Sequence, residues 1–336
     1  MNGKADLHMA LPGTGNVGER WWRGFARMPM AIFAAWIVPA LAFQSVLASD
    51  LDRLPGRLVD TGTEQLHLTC TGQGSDGAPT VILEAGLAGN HLDWSLVQPL
   101  VSIRLRTCSY DRAGAGFSAA ASRPRTLDAI VEDLGRMLDA ASIDGPLVLV
   151  GHSFGGMIAT RFMAEHPGRV KGLVLVDSMH PDQFARFEAN GVKVGRDPYQ
   201  VLNRTHPASA VYGLPDSLHR RAMDLASSEK ARKTVIGEMR AMPEALASVR
   251  LTQSGAVTAR VLVHGDLAWN RLYPDGRMER TWALLQADLS RSLGAPAPLF
   301  VASAGHQIQL DAPDVVVTAI MEAAGRPQTS IAKDRP

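Results

Sequence analysis

The chain has 336 residues, of which 46% are hydrophobic and 20% are charged, so it is long enough to bury a large core in one domain with an insertion. Its formal net charge is +1, and its basic residues form only short clusters. This charge pattern excludes an extended basic surface that could bind the phosphate backbone of a nucleic acid, so we expect no nucleic-acid partner.

An uncharged segment near the N-terminus predicts that the chain meets a membrane. Three arginines lie within residues 20–27 and precede residues 28–49, a segment about as long as a membrane-spanning helix needs. Positive residues stay on the cytoplasmic side, so we expect a cytoplasmic tail over residues 1–27 and an extracytoplasmic remainder. A cleaved signal peptide and a secreted protein are the alternative, with small residues for cleavage at Ala40-Leu41-Ala42 or Val46-Leu47-Ala48.

Short apolar segments alternate with helical ones after a connector that is rich in charge and proline. This alternation predicts a largely parallel sheet with helices on both faces. Apolar side chains at helical spacing indicate a helix over Thr126–Ala141, and a second helix is predicted to continue to His166. The predicted strands of this part are Leu58–Asp60, Gln65–Thr71, Thr80–Glu84, Arg104–Tyr110, Leu147–Val150 and Leu173–Val176.

The alternation stops after the sixth of these strands. Residues 178–258 contain helical patches and no convincing core strand, so we expect a helical cap between two parts of the core, 55–177 and 259–327. A polar tail is expected over residues 328–336. The second part of the core is predicted to contain the strand Arg260–His264, a helix over Met278–Leu293, the strand Pro298–Val301 and a helix over Pro313–Ala324.

The sequence Gly151-His152-Ser153-Phe154-Gly155 stands between a predicted strand and a predicted helix. A serine on such a sharp turn has strained backbone angles, and side chains two residues before and after it would clash, so glycine is needed at both places. The turn lifts the Ser153 hydroxyl clear of the sheet. The Phe154 N–H lies at a helix N-terminus and is suited to bind a developing oxyanion. This pattern predicts a nucleophilic serine.

A serine hydroxyl is a weak nucleophile and needs a base. His306 follows the last predicted strand, at the edge where an open parallel sheet binds its ligands, and we expect it to be this base. The other histidines, His152 and His264 among them, are interpreted as packing residues. No histidine pair has the spacing of metal ligands on one helix, so we expect no metal.

Five motifs occur along the chain, namely Leu-Glu-Ala-Gly from Leu83, Tyr-Asp-Arg-Ala-Gly from Tyr110, Gly-His-Ser-Phe-Gly-Gly from Gly151, Leu-Val-Leu-Val-Asp-Ser from Leu173 and Gly-His-Gln-Ile-Gln-Leu-Asp-Ala-Pro from Gly305. In this order they resemble the α/β-hydrolase superfamily, from about residue 58 to residue 325. The resemblance implies the α/β-hydrolase fold, with a mostly parallel sheet of about eight strands and a helical cap after the sixth strand. It also implies a serine, an acid and a histidine in chain order, activity on esters or related acyl bonds, and no cofactor.

The resemblance further implies a second oxyanion donor on the loop after the third strand. Many relatives carry His-Gly before this donor, whereas this chain has Ala85-Gly86, and we expect the Leu87 N–H to take the role. Asp111 and Arg112 match the family's loop after the fourth strand, where we interpret them as structural residues.

The acid that orients His306 has two candidates. The commoner position in the superfamily follows the seventh strand, where this chain has Asp266 directly after Gly265, an irregular spacing. The other position is the end of the sixth strand, where Asp177 lies in register. We favour Asp177 and keep Asp266 as the alternative, and a purely structural Asp177 is the remaining interpretation.

Cys70 and Cys108 are the two cysteines of the chain. In the strand order usual for the superfamily the second strand lies beside the fourth, so the resemblance implies that the two segments are neighbours. Export to an oxidising compartment would then permit a disulfide. Two separate buried thiols are the alternative.

These residues predict a serine hydrolase that cleaves carboxylic esters or related acyl bonds in a small-molecule substrate, through an acyl-enzyme intermediate. An aminopeptidase, a lactonase, a thioesterase or a cofactor-free haloperoxidase could use the same three residues. A ligand-binding module on the same fold is the non-enzymatic alternative. The cap is expected to select the substrate, and its sequence contains no motif that indicates which one. The sequence therefore does not identify the acyl group.

Overall fold

Eight strands form one sheet, and they are β1 (Arg57–Asp60), β2 (Gln65–Thr71), β3 (Thr80–Glu84), β4 (Thr107–Tyr110), β5 (Leu147–His152), β6 (Val170–Val176), β7 (Thr258–His264) and β8 (Leu299–Val301). Their order across the sheet is β1-β2-β4-β3-β5-β6-β7-β8. β2 runs antiparallel to β1 and β4, and the other neighbouring pairs are parallel. This computed structural model describes residues 54–75, 77–193, 212–253, 255–266 and 268–326.

The predicted fold class, a mostly parallel sheet of about eight strands, is confirmed. The central strands β3 and β5 are buried along their whole length, as expected for parallel strands covered on both faces. The strand predicted over residues 104–110 begins only at Thr107. The backbone N–H groups of Arg104 and Leu105 instead donate to Val101 O at 3.0 and 3.1 Å, because these residues prolong the preceding helical turn.

The described helices are α1 (Gln98–Ser102), α2 (Leu127–Ala140), α3 (Phe154–Glu165), α4 (Gln183–Ala189), α5 (Asp216–Ser227), α6 (Glu229–Ser248), α7 (Arg277–Leu293), α8 (Ile308–Asp311) and α9 (Pro313–Ala323), and helices lie on both faces of the sheet. Phe162 of α3 belongs to one cluster of buried apolar side chains, and Ile320 of α9 belongs to another. Ile82 of β3 lies in the first cluster, whereas its neighbours Val81 and Leu83 lie in the second. Since successive side chains of a strand point to opposite faces, the two clusters occupy the two sides of the sheet.

Three helices, α4, α5 and α6, lie within the segment predicted to form the cap, residues 178–258. Residues 194–211 and residue 254 of this segment lie outside the described residues. Ser228 stands between α5 and α6, and its Oγ accepts a hydrogen bond from the Ala231 N–H at 3.3 Å. This N-cap satisfies one of the backbone donors at the start of a helix and fixes where α6 begins.

No helix within the described residues is long and apolar enough to cross a bilayer. The predicted cytoplasmic tail (1–27), the uncharged segment (28–49) and the polar tail (328–336) lie outside the described residues. The statements about these three segments therefore stay predictions.

Cys70 of β2 and Cys108 of β4 form a disulfide in the structure. They face each other directly in the antiparallel register of the two strands, with Cα atoms 4.0 Å apart. The second and fourth strands are therefore neighbours, as the resemblance implies. The bond ties the antiparallel edge of the sheet to its parallel part.

Replacing both cysteines by alanine is expected to lower the free energy of unfolding by about 3–4 kcal/mol, because the disulfide closes a long loop in the unfolded chain. The two cysteines are separated by 38 residues in sequence. Urea unfolding of Cys70→Ala/Cys108→Ala beside the parent, both prepared without reductant, measures the difference. Equal midpoints, with two titratable thiols in denatured parent protein recovered from outside the cytoplasm, would contradict the disulfide.

Candidate active site

Ser153 occupies the turn between β5 and α3. Its backbone has φ 51° and ψ −118°. Such a conformation costs a non-glycine residue about 1–3 kcal/mol, and the surroundings must hold it. A Cβ atom at Gly151 would lie 2.4 Å from Gly155 O, and one at Gly155 would lie 2.5 Å from Glu84 O, so only glycine fits at both places. The Ser153 N–H donates to Val176 O at 3.1 Å, which ties the strained turn to β6.

Ser153, Asp177 and His306 each come after a strand in the same half of the sheet. Ser153 follows β5, Asp177 follows β6 and His306 comes soon after β8, and the carboxyl ends of these parallel strands meet at one edge. His306 Nδ1 lies 2.6 Å from Asp177 Oδ2, within hydrogen-bond distance. The His306 side chain is 33% exposed, whereas that of Asp177 is fully buried. With Nδ1 held by the carboxylate, Nε2 is the nitrogen that can exchange a proton with a reacting group.

The turn that carries Ser153, called the elbow below, is in direct contact with the loop that carries His306. His152 Nε2 donates to His306 O at 2.9 Å, and the rings of these two histidines lie 4.7 Å apart. Burial, together with the positive charge of a protonated His306, lowers the pKa of His152 to about 3, so His152 stays neutral. Among the described residues no hydrogen bond joins Ser153 Oγ to His306. Catalytic hydrogen bonds of this kind are often long without substrate and shorten when it binds.

Asp177 is held by donors from two further residues. Its carboxylate lies 2.7 Å from His264 Nδ1, and it accepts from the His264 backbone N–H at 3.2 Å and from Trp282 Nε1 at 2.8 Å. Burial alone would raise the pKa of Asp177, but the hydrogen bonds from His264 and His306 outweigh it and hold this pKa well below its usual range. The carboxylate is therefore ionised near neutral pH, as the orientation of a cationic His306 requires.

Asp266, the alternative acid, is exposed and forms no hydrogen bond or ion pair with His306 among the described residues. Its backbone N–H donates to Ala304 O at 3.0 Å, so the residue joins the segment after β7 to the segment after β8. Of the two aspartates that the sequence leaves open, Asp177 is the one that contacts His306.

His264 has a larger part in this network than the packing role that the sequence suggests. Its Nε2 lies 2.9 Å from Glu279 Oε2, so the imidazole bridges Asp177 and Glu279. Burial would lower the pKa of His264, but its hydrogen bonds to these two carboxylates raise it. The signal in the sequence is the position of His264 at the carboxyl end of a parallel strand, the same rule that identifies His306.

The two backbone N–H groups predicted to bind an oxyanion lie close to Ser153. Phe154 is the first residue of α3, and Leu87 belongs to the loop after β3. A Cβ atom at Gly86 would lie 2.7 Å from His152 Nδ1 and 3.4 Å from Ser153 Cβ, so this loop passes directly beside Ser153. Within the described residues neither the Leu87 N–H nor the Phe154 N–H donates to a protein atom. Both are therefore available to negative charge that develops on a substrate.

Groups of histidine and acidic side chains come close enough to hold a metal ion in three places within the described residues, and they are His67–His91–Asp111, His180–Asp182–Asp288 and Asp177–His264–His306. In the third group both imidazole Nδ1 atoms face the same Asp177 oxygen. Each Nδ1 carries a proton there, which a metal would have to displace. Hydrogen bonding within the group therefore accounts for its geometry.

A parallel sheet with a serine on a strained strand–turn–helix, and a histidine–aspartate pair at the same edge, defines the class of doubly wound α/β enzymes that use a nucleophile elbow. A family model described as the alpha/beta hydrolase fold matches residues 79–266, more than half of the chain. The chain belongs to this family.

The comparisons also identify individual relatives. The chain is 36% identical over 154 residues to a protein of Caulobacter sp. (strain K31) named "Putative carbamate hydrolase RutD", and the match covers 46% of this chain and 54% of that protein. Seven further curated relatives are matched over 19% to 59% of their own length, so the chain spans less than two thirds of each.

Solved structures with the same fold include an enol-lactonase from Burkholderia xenovorans LB400, with a TM-score of 0.59, 17% identity, and coverage of 80% of this chain and 100% of that one. A thermophilic esterase from Thermogutta terrifontis is matched with a TM-score of 0.57 and 21% identity, over 77% of this chain and 92% of that one. At these identities the likeness shows the fold alone.

Proposed function

We propose that the protein is a serine hydrolase that cleaves carboxylic esters or related acyl bonds through an acyl-enzyme intermediate. The observation that carries the proposal is the 2.6 Å contact between His306 Nδ1 and the buried Asp177 carboxylate, at the sheet edge that also holds Ser153. An oriented histidine beside an elbow serine is the arrangement that activates a hydroxyl for attack. Membership of the α/β-hydrolase family supports hydrolysis as the class of reaction.

The proposed reaction uses each group in turn. Ser153 Oγ attacks the substrate carbonyl while His306 Nε2 takes its proton, and Asp177 stabilises the resulting imidazolium. The N–H groups of Phe154 and Leu87 bind the oxyanion of the tetrahedral intermediate. His306 then protonates the leaving group. Water attacks the acyl-enzyme by the same route, which releases the acid and restores Ser153.

A panel of substrates tests the reaction and the acyl size together. It contains p-nitrophenyl esters of increasing acyl length, an aminoacyl amide, a lactone and a carbamate, because similar proteins are named an enol-lactonase and a carbamate hydrolase. We expect turnover of at least one ester by the parent and none by Ser153→Ala. If only the lactone, the amide or the carbamate is turned over, the proposed mechanism stands and the proposed type of bond is wrong. Failure of every substrate, with no fluorophosphonate labelling, would instead favour a ligand-binding module.

We also propose that residues 28–49 anchor the protein in a membrane, with the catalytic part outside the cytoplasm. The Cys70–Cys108 disulfide supports this location, because such bonds persist in oxidising compartments. The full chain is expected to sediment with membranes, and deletion of residues 1–50, which ends before β1, is expected to release an active soluble enzyme. Edman sequencing of the recovered parent is the deciding measurement. A mature N-terminus near Phe43 or Ser49 would contradict the anchor and indicate a cleaved signal peptide.

A further inference from the structure

We infer that Arg112 positions the oxyanion-binding peptide and that Glu238, a residue of the cap, holds Arg112 in place. This inference rests on the proposed function and deepens it. The Arg112 side chain is almost fully buried, and it connects the loop after β4, the oxyanion loop after β3 and helix α6 of the cap. From the sequence alone Arg112 is expected to be structural, and its contacts give it a more specific role.

Arg112 directs two of its nitrogens at the oxyanion loop. Nη1 donates to Ala85 O at 2.7 Å and Nη2 donates to Gly86 O at 2.8 Å. Gly86 O and the Leu87 N–H belong to the same planar peptide group, so a hydrogen bond that fixes the carbonyl also fixes the direction of the N–H. A cationic donor on the carbonyl polarises the peptide as well and makes its N–H a stronger donor.

Arg112 also contacts the residue that supplies the other oxyanion donor. Its guanidinium carbon lies 5.9 Å from the centre of the Phe154 ring, a distance at which a cation is attracted to an aromatic face. The same side chain therefore contacts the peptide group that carries the Leu87 N–H and the ring of Phe154, whose N–H is the other expected oxyanion donor. A shift of the guanidinium would affect both.

Glu238 binds the remaining side of the guanidinium. Its two carboxylate oxygens accept from Arg112 Nε at 2.8 Å and Nη2 at 3.0 Å, a bidentate contact between side chains that are 1% and 3% exposed. This planar fork sets the orientation of the guanidinium. A second acid, Glu84, accepts from Nη1 at 2.7 Å, and burial raises the pKa of Glu84. Glu238 is the partner that the cap contributes.

The cap helix is docked along the whole loop that carries Arg112. Thr234 lies one helical turn before Glu238 in α6, and its Oγ1 donates to Ala113 O at 3.4 Å. Lys230, a further turn before, donates from Nζ to Ser118 O. Three residues at a spacing of four therefore present one face of α6 to the loop. Docking of the cap and orientation of the oxyanion peptide are thus connected through one buried ion pair.

Fluorophosphonate labelling of the full chain tests this inference without knowledge of the natural substrate, because phosphonylation of the serine also needs the oxyanion site. The variants are Glu238→Gln, Glu238→Asp and, as a matched control on the same helix, the exposed Glu244→Gln. We expect Glu238→Gln to label about tenfold more slowly than the parent, less than the loss of a whole oxyanion donor would cost. Glu238→Asp, which keeps the charge, is expected to label at an intermediate rate, and Glu244→Gln at the parent rate.

The stoichiometry of labelling separates positioning from a merely structural role. If Glu238 only stabilises the fold, the fraction of labelled protein falls while the rate constant of the labelled fraction stays that of the parent, and the inference is overturned. If Glu238→Gln does not fold, Glu238→Asp carries the test, and a rate equal to the parent's then overturns the inference. A trifluoromethyl ketone forms an oxyanion adduct with the serine. Its affinity for Glu238→Gln is expected to be lower than for the parent by the same factor as the labelling rate. Failure of the parent itself to label would overturn both the proposed function and this inference.

Discussion

Replacing Ser153 by alanine is expected to lower kcat by about 10⁶-fold, which is the effect of removing the nucleophile of a serine protease. The fold should persist, because the Ser153 side chain makes no capping hydrogen bond at the start of α3 and is only partly buried. Alanine also tolerates the backbone of residue 153 no worse than serine does, since both carry a Cβ. Steady-state turnover of the best ester, together with thermal unfolding, measures the two effects.

Ser142 provides a matched control for this experiment. It is an exposed serine that follows α2, and its φ of 53° is close to the 51° of Ser153. Ser142→Ala therefore repeats the chemical change on a similar backbone outside the site and should leave kcat unchanged. Residual activity of Ser153→Ala within tenfold of the parent would mean that another residue is the nucleophile.

The second large effect is expected for Asp177→Asn, which should lower kcat by about 10⁴-fold, as the equivalent change does in serine proteases. An asparagine amide is neutral, so it neither stabilises a cationic His306 nor holds its Nδ1 proton in the required tautomer. Asparagine also accepts the positive φ of 45° at this position better than most residues, which favours a folded variant. Thermal unfolding should show some destabilisation, because His264 loses a charged partner 2.7 Å away.

Asp266→Asn is the matched control, because it makes the same change at the exposed alternative acid. It is expected to keep the parent kcat in the assay that shows the loss in Asp177→Asn. If kcat falls by orders of magnitude in Asp266→Asn and stays normal in Asp177→Asn, the acid is the residue after β7 and Asp177 is structural.

Local patterns in the sequence are sufficient to predict the sheet and the elbow. Apolar runs such as Thr80–Glu84 indicate buried strands, and glycines on both sides of Ser153 indicate a turn that has no room for a Cβ. These features depend on residues that are close in the chain. Strand starts are less well predicted: β4 begins three residues later than expected, because the pattern does not show that Arg104 continues a helical turn, and β6 begins three residues earlier.

Contacts between distant residues decide the parts that the sequence left open. Asp177 and Asp266 both follow strands that end at the same edge, and only the packing of His306 distinguishes them. The bridge from His264 to Glu279 and the contact of Arg112 with Glu238 each join a strand end or loop to a helix elsewhere in the chain. The contact of Arg112 with Glu238 spans 126 residues. A single sequence contains no local signal for a contact of this kind.

Fluorophosphonate labelling of the full chain, followed by mass-spectrometric mapping of the modified peptide, tests the central claim most directly. We predict one adduct per chain, on Ser153, that is absent in Ser153→Ala, present at the parent rate in Ser142→Ala and much slower to form in Asp177→Asn. An adduct on any other residue, or hydrolysis that continues while Ser153 stays unmodified, would contradict a serine hydrolase built on Ser153, His306 and Asp177.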